Sequence, residues 1–368
     1  MHRRKAEGSL HANLDSYKIT ALKYEMRMTN NSTFHNGTDC GMIRQAFTSR
    51  VLPVLYSLIL LGSLVLNGIA AWIFFKISSR KSIVVFLKNI VIADLVMTTT
   101  FPFTILSHAE VAPDIINQIV CRFSAIVFYN CMYISLILLT LISFDRYLKI
   151  VRVSTTSIFQ TAKFAKTASV MIWMIMFLQA MPNMILNKND MKLKSRKDCM
   201  KLKIQPLGEK WHYFVVYFTM SIFWVTFVLM VVFYTYILKA IYKSHKKFKK
   251  EPSDGHRKSR RNIFSILGVF FVCFVPYHIS RIPFTASQSG NKFSCTTGNF
   301  LFFFKEGALL LSAMNTCLDP ILYFLLCKSF TAALCREIRS LQNKKQMNEQ
   351  VDLSENKLKS TVATTDSF

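Results

Sequence analysis

The chain has 368 residues, of which 52% are hydrophobic and 18% are charged, and its formal net charge is +26. Several apolar runs exceed the roughly 18 residues that a helix needs to cross a bilayer, which excludes an ordinary soluble domain and indicates an integral membrane protein. The basic residues fall mainly in short loops between these runs, so they are typical of cytoplasmic loops and do not indicate nucleic-acid binding.

Residues 1–50 are polar and lack the apolar stretch that a cleavable signal peptide requires. They are expected to form an extracellular N-terminal tail. Asn30, Asn31 and Asn36 each begin an Asn-x-Ser/Thr sequence and are predicted glycosylation sites.

Seven apolar segments follow within residues 51–327, and they predict an all-α membrane protein with a seven-transmembrane helix bundle. The segments are Val51–Phe75, Val84–Leu106, Val120–Ile150, Phe164–Leu186, Trp211–Ile241, Asn262–Phe284 and Phe300–Cys327. No internal repeat is evident, which argues against an inverted-repeat transporter. The third segment organises the rest because residues 123–144 are uncharged yet polar at intervals, as expected of a helix inside a bundle.

The loops after the first, third and fifth segments, and the region after the seventh, are rich in Lys and Arg. The positive-inside rule places them in the cytoplasm, so the N-terminus is predicted outside and the C-terminus inside the plasma membrane. The loop from Asn187 to Lys210 breaks the rule, because it should lie outside yet carries eight basic residues. It is either a solvated hairpin or an electropositive lid that attracts anionic ligands.

The segment after Cys327 reads KSFTAALCREI, which is amphipathic and too short to span a membrane. Residues 328–341 are therefore predicted to form a short eighth helix on the bilayer surface. Residues 342–368 are polar and are predicted to be a disordered cytoplasmic tail.

Four of the nine cysteines are predicted to be extracellular: Cys40, Cys121, Cys199 and Cys295. An even set in an oxidising compartment indicates two disulfides, for which three connectivities exist. Cys121–Cys199 with Cys40–Cys295 is favoured, since the first bridge would tie the basic loop to the top of the third helix.

Six short motifs occur in order along the segments, at matching depths. They are Asn67 in LNG, Asp94 in IADL, Asp145–Tyr147 in DRY, Trp173 with Pro182, Phe270–Pro276 in FFVCFVP and Leu318–Tyr323 in LDPILY. With these motifs the chain resembles the rhodopsin-type G-protein-coupled receptors. Stretches such as FLKNIVIADL and CFVPYHISRIPFTASQ resemble the purinergic nucleotide receptors, in the branch that senses ADP and UDP-sugars.

The resemblance implies a receptor for an extracellular nucleotide or nucleotide sugar that lowers cyclic AMP through an inhibitory heterotrimeric G protein. It implies no cofactor beyond an allosteric sodium ion, and it leaves room for a receptor dimer. Two alternatives remain: a receptor of the same fold for a lysophospholipid or other anionic lipid, and a channel or transporter. The sequence shows no Ser/His/Asp set, phosphate-binding glycine loop or metal-ligand cluster, so an enzyme is not expected.

Five residues are expected to meet in the outer half of the bundle: Tyr129, Tyr133, His278, Arg281 and Lys305. Phosphate needs cations held where water is scarce, which Arg281 and Lys305 would supply, and tyrosine rings can stack on a base. The alternatives are snorkelling of the cations, pairing of Lys305 with Glu306, and packing of the tyrosines. The resemblance adds Asn183, Lys203, His212 and Gln288. The chain departs from the family pattern at Asn117, Val153, Val216 and Phe284.

Two polar groups are expected deeper in the bundle. Asp94, Ser135, Asn315 and Asp319 offer oxygens that would hold either the sodium ion implied by the resemblance or a water network. At the inner end, Asp145 and Arg146 are expected to pair in the resting state. The resemblance implies a G-protein switch made of Asp145, Arg146, Tyr147, Tyr234, Asp319, Pro320 and Tyr323.

Overall fold

A computed structural model describes residues 44–77, 81–109, 113–152, 158–188, 193, 196–248, 254–288 and 295–365. Within these ranges, seven helices are long and apolar enough to cross a membrane, which confirms the predicted helix bundle. The predicted glycosylation sites and the Cys40–Cys295 bridge involve residues outside the described ranges.

We number the helices along the chain. They are α1 (Arg44–Lys76), α2 (Ser82–His108), α3 (Asp114–Arg152), α4 (Ala162–Ile185), α5 (Leu207–Phe248), α6 (Asp254–Gln288), α7 (Cys295–Leu326) and α8 (Lys328–Thr365). A turn at Thr99 and Thr100 interrupts α2 just ahead of Pro102. Helices α5 and α6 continue beyond the predicted apolar segments, α5 at its C-terminus and α6 at its N-terminus. Adding a residue to an existing helix costs much less than nucleating a new one.

The third helix occupies the centre of the bundle. It packs against α2, α4 and α5, and 61% of its most apolar window is buried, compared with 28% for α4. Its buried side chains include polar ones such as Ser135, Thr140 and Ser143, which would be costly against lipid. The sequence pattern of the third segment thus predicted its position correctly.

Buried polar side chains join neighbouring helices. Asn67 on α1 donates from its amide nitrogen to the Thr316 carbonyl on α7 at 2.7 Å. Trp173 on α4 donates to Asn89 on α2 at 3.1 Å. In a low-dielectric interior such bonds are strong and leaving them unmade is costly, so they fix the relative rotation of the helices.

The last helix differs from the prediction. Residues 328–365 form one helix, where the sequence predicts a helix to residue 341 followed by a disordered tail. This stretch contains neither Gly nor Pro, and Lys345 lies 3.9 Å from Glu349 one turn later. Good helix formers and such pairs sustain helical backbone even where the side chains are exposed, as at residues 338–350.

Candidate ligand-binding site

Arg281 lies over two tyrosine rings, one on α3 and one on α6. Its guanidinium carbon is 5.3 Å from the ring centroid of Tyr129 on α3 and 5.6 Å from that of Tyr277 on α6. Arg281 also donates a hydrogen bond to the Tyr277 hydroxyl, and the two rings stack at 5.8 Å. The half-buried cation is thereby held in place by aromatic faces.

Tyr277 is a site residue that the sequence analysis missed. It is 2% exposed and belongs to the same cluster as Tyr129 and Arg281. Its position four residues before Arg281 places both on one face of α6, so helical spacing was the available signal.

Tyr133 and His278 meet beneath this cluster. The Nδ1 atom of His278 is 2.8 Å from the Phe274 carbonyl oxygen, which can only accept, so Nδ1 carries a proton. In a neutral ring Nε2 then accepts from the Tyr133 hydroxyl at 3.0 Å. His278 is fully buried and stacks on Phe223, with ring centroids 3.6 Å apart. Tyr133 is buried as well, so these two predicted ligand-binding side chains form a closed floor beneath the Arg281 cluster.

Lys203 belongs to the loop between α4 and α5. We call Arg281, Tyr129, Tyr277 and Lys203 together the cup. The Nζ atom of Lys203 donates to the Asn183 carbonyl oxygen at 2.8 Å, and the residue is only 6% exposed. Burial lowers the pKa of Lys203 to about 8, and the nearby charge of Arg122 acts in the same direction. An amine in this environment gains most from an anionic neighbour, because an anion would offset both effects.

The loop that carries Lys203 is fastened at two points. The Cys121–Cys199 disulfide joins it to α3 with the two Cα atoms 5.4 Å apart, as predicted. An antiparallel bridge pairs Asn187 with Lys203, and the Lys188 amide donates to the Leu202 carbonyl at 2.8 Å. The basic loop is therefore held against the top of α3 and α4.

The remaining predicted ligand residues are placed differently. His212 on α5 lies close enough to Lys203 and Arg281 for both positive charges to act on its ring. Lys305 on α7 donates to Glu306 at 2.6 Å, so the alternative pairing considered above is present in the structure. The side chain of Gln288 lies outside the described part of the chain.

Four buried side-chain oxygens in the middle of the bundle have no hydrogen-bond partner among the residues that the structure describes. They are one carboxylate oxygen each of Asp94 and Asp319, the Ser135 hydroxyl and the Asn315 amide oxygen. The second oxygen of each carboxylate is occupied, by Tyr323 at 3.0 Å and by Asn315 at 2.7 Å. Oxygen ligands of this kind suit a hard cation, so the predicted residues fit a sodium ion.

The contacts at the C-terminal end of α3 contradict one prediction. Asp145 accepts from Ser82 and from Lys149, both at 2.6 Å, whereas Arg146 donates to the Leu326 carbonyl at 2.5 Å. The expected ion pair between Asp145 and Arg146 is therefore wrong for this structure. A serine and a lysine already satisfy the carboxylate, so the arginine is free to turn towards α7.

The other predicted switch residues surround this point. Tyr234 on α5 accepts from Ser143 at 2.9 Å, and Tyr147 stacks on Phe233 at 5.4 Å. Pro320 lies inside α7, and Tyr323 reaches back from α7 to Asp94. The inner switch and the mid-bundle oxygens are thus in direct contact through Tyr323.

Comparison with known proteins gives consistent matches. Residues 66–323 match the family described as 7 transmembrane receptor (rhodopsin family). Purinoceptor 14 of Bos taurus is 45% identical over 312 residues, covering 85% of this chain and 91% of that protein. Purinoceptor 13 of Homo sapiens is 42% identical over 299 residues, covering 81% and 84%. G-protein coupled receptor 87 of Mus musculus is 42% identical over 322 residues, covering 85% and 87%.

Proposed function

The chain belongs to the rhodopsin family of seven-transmembrane receptors, and from that we propose that it responds to an extracellular nucleotide or nucleotide sugar. Two of its similar relatives are named as purinoceptors. As a member of this family it is a receptor and not an enzyme, and it is a multi-pass membrane protein that signals through a G protein.

One observation carries the proposal: Arg281 is held over Tyr129 and Tyr277 while Lys203 is tethered to Asn183 nearby. A planar guanidinium can bind a diphosphate through two parallel hydrogen bonds. Tyr129 offers a ring face beside it for a base or sugar. Lys305 would join these cations once a phosphate competes with Glu306 for it.

We propose that ligand binding shifts the bundle between two states. The central helix carries Tyr129 at the cup, Ser135 beside the mid-bundle carboxylates and Arg146 at the inner end. A ligand that binds one packing of α3, α6 and α7 more tightly raises the population of that state. In that state Arg146 breaks its hydrogen bond to the Leu326 carbonyl and contacts the G protein. We propose the inhibitory class of G protein, a fall in cyclic AMP, and a topology with the N-terminus outside and the C-terminus inside. A receptor dimer stays a prediction.

We further propose that sodium binds among Asp94, Ser135, Asn315 and Asp319. The bound ion would supply positive charge to two buried carboxylates. These residues would hold it with the oxygens that lack a hydrogen-bond partner in the described part of the chain.

The test is inhibition of cyclic AMP formation in cells exposed to nucleotides, nucleotide sugars and lysophospholipids. R281A should weaken nucleotide potency about tenfold to hundredfold, because a charge-assisted contact to phosphate is lost. R281K keeps the charge but lacks the planar fork, so it should recover only part of the loss. K305A should also weaken nucleotide potency, whereas K188A removes an exposed cation and should change little.

Surface expression is measured for every variant. Unchanged potency in R281A at normal surface expression would contradict the phosphate role. A response to lysophospholipids alone would assign the cup to an anionic lipid instead.

A further inference from the structure

We propose that Gln179 on α4, oriented by Asn130 on α3, accepts a hydrogen bond from an uncharged part of the ligand and thereby sets ligand specificity. This inference rests on the proposed nucleotide function and deepens it. Neither residue was predicted from the sequence: Asn130 directly follows Tyr129, and Gln179 lies one helical turn before Asn183.

The orientation of Gln179 follows from a chain of hydrogen bonds. Asn130 donates from Nδ2 to the Met176 carbonyl oxygen at 2.8 Å, and a carbonyl can only accept. The Oδ1 atom of Asn130 therefore faces Gln179, which must present its amide nitrogen and does so at 2.6 Å. Because Nε2 of Gln179 is the atom that faces Asn130, the amide oxygen Oε1 points away from Asn130 and is left as the acceptor of this side chain.

That acceptor has no partner. Oε1 of Gln179 and Oδ1 of Asn183 are buried atoms without a hydrogen bond among the residues that the structure describes. The two residues are 9% and 4% exposed and lie one turn apart on the same face of α4. We call these two oxygens the acceptor pair. Buried amide oxygens rarely stay unpaired, so a ligand group or a bound water must satisfy them.

The acceptor pair lies beside the cationic cup. Trp211 on α5 donates to the backbone carbonyl of Gln179 at 3.2 Å, and Lys203 donates to the backbone carbonyl of Asn183 at 2.8 Å. His212, which follows Trp211, is within electrostatic range of Lys203 and Arg281. A ligand whose diphosphate is bound by these cations can therefore extend a neighbouring group towards α4.

The chemistry of the pair selects the ligand group. Two neutral acceptors repel a phosphate, which is itself an acceptor at neutral pH, and attract a donor. The donors of a nucleotide sugar are the hydroxyls of its sugars and the N–H groups of its base. In either case the ligand must present an uncharged O–H or N–H donor to the acceptor pair. The experiment distinguishes a sugar hydroxyl from a base N–H group.

The experiment compares wild type with Q179L, which removes the amide and keeps similar bulk. Potencies in the cyclic AMP assay are measured for uridine diphosphate, UDP-glucose, a deoxygenated UDP-glucose, ADP and an ADP analogue that lacks the adenine amino group. If a sugar hydroxyl binds Gln179, Q179L should shrink the preference for UDP-glucose over its deoxy analogue about threefold to tenfold. If the base N–H binds there, the preference for ADP over its analogue shrinks instead.

N130A is the second variant, because it leaves the Gln179 amide in place but removes its anchor. It should give a smaller loss of the same preference. Q342A changes an exposed glutamine on α8 and should behave as wild type. Equal changes in potency for all five probes, or no change in Q179L, would overturn the inference and leave Gln179 as a packing or water-binding residue. A wild-type receptor that responds to none of the probes would instead refute the proposed nucleotide function.

Discussion

We predict that Lys203 makes ligand binding depend on pH. Burial lowers its pKa to about 8, so the side chain is about nine-tenths charged at pH 7 and about one-tenth charged at pH 9. An anionic ligand favours the charged ammonium and thus binds most tightly below this pKa. We expect nucleotide affinity to fall by up to about tenfold as the pH rises from 7 to 9, following the charged fraction.

Ligand binding to isolated membranes across this pH range checks the expectation. Starting at pH 7 keeps the terminal phosphate largely ionised, since its second pKa is about 6. K203R is the control, because its guanidinium stays charged throughout and should flatten the curve. The same slope in both proteins would assign the pH dependence to another group.

Tyr133 and His278 form the floor of the cup, which predicts a structural role for the tyrosine hydroxyl. Y133F leaves the buried Nε2 of His278 without its donor, at a cost of about 1–3 kcal/mol. We expect a lower Tm in detergent with little change in nucleotide affinity. Y213F alters an exposed ring on α5 and serves as the matched control. Weaker binding without a change in Tm would place the hydroxyl in contact with the ligand.

At the scale of elements, α8 docks through its first turns. Phe330 is 4% exposed, and its ring centroid lies 5.0 Å from that of Phe74 and 6.1 Å from that of Tyr323. Lys76 on α1 pairs with Glu337 at 2.8 Å, but this partly exposed ion pair contributes little. The aromatic contact is therefore the main anchor of α8.

F330A should destabilise the receptor by about 3–5 kcal/mol, the usual cost of removing a well-packed phenylalanine. The measurements are Tm in detergent and surface expression, with I338A as a control at a 47% exposed position on the same helix. Truncation after Leu341 should leave Tm unchanged, because residues 341–350 are all exposed. A destabilised truncation would show that the distal part of α8 contributes to the fold.

The sequence predicted the helices because each spans an apolar slab, which demands a long uncharged run whatever the neighbours are. It also located residues such as Asn67 and Asp94, since polar groups at membrane depth are conspicuous. It did not reveal that Asp145 pairs with Ser82 and Lys149, because that choice depends on how the start of α2 meets the end of α3. Gln179 escaped notice because its orientation depends on Asn130 of another helix.

At the scale of the whole molecule, α3 and α7 run from the proposed ligand site to the proposed G-protein switch. Ser135 and Arg146 lie on α3, while Asn315, Asp319 and Tyr323 lie on α7. Tyr323 donates to Asp94 on α2 at 3.0 Å, so any movement of α7 changes the surroundings of that carboxylate. The proposed sodium site therefore lies on the helices that join the two ends of the bundle.

Sodium and an activating ligand should therefore oppose each other. If the ion favours the packing seen here, replacing an organic cation by sodium at constant ionic strength should weaken nucleotide binding by about 5-fold to 150-fold, the usual range of coupling between sites. Linkage requires that the nucleotide weaken sodium binding by the same factor. D94N keeps the shape of Asp94 but removes its charge and should abolish the effect, whereas D114N at the outer end of α3 should retain it. Undiminished sodium sensitivity in D94N would place the ion outside this cluster and would separate the cup from the carboxylates that Tyr323 contacts.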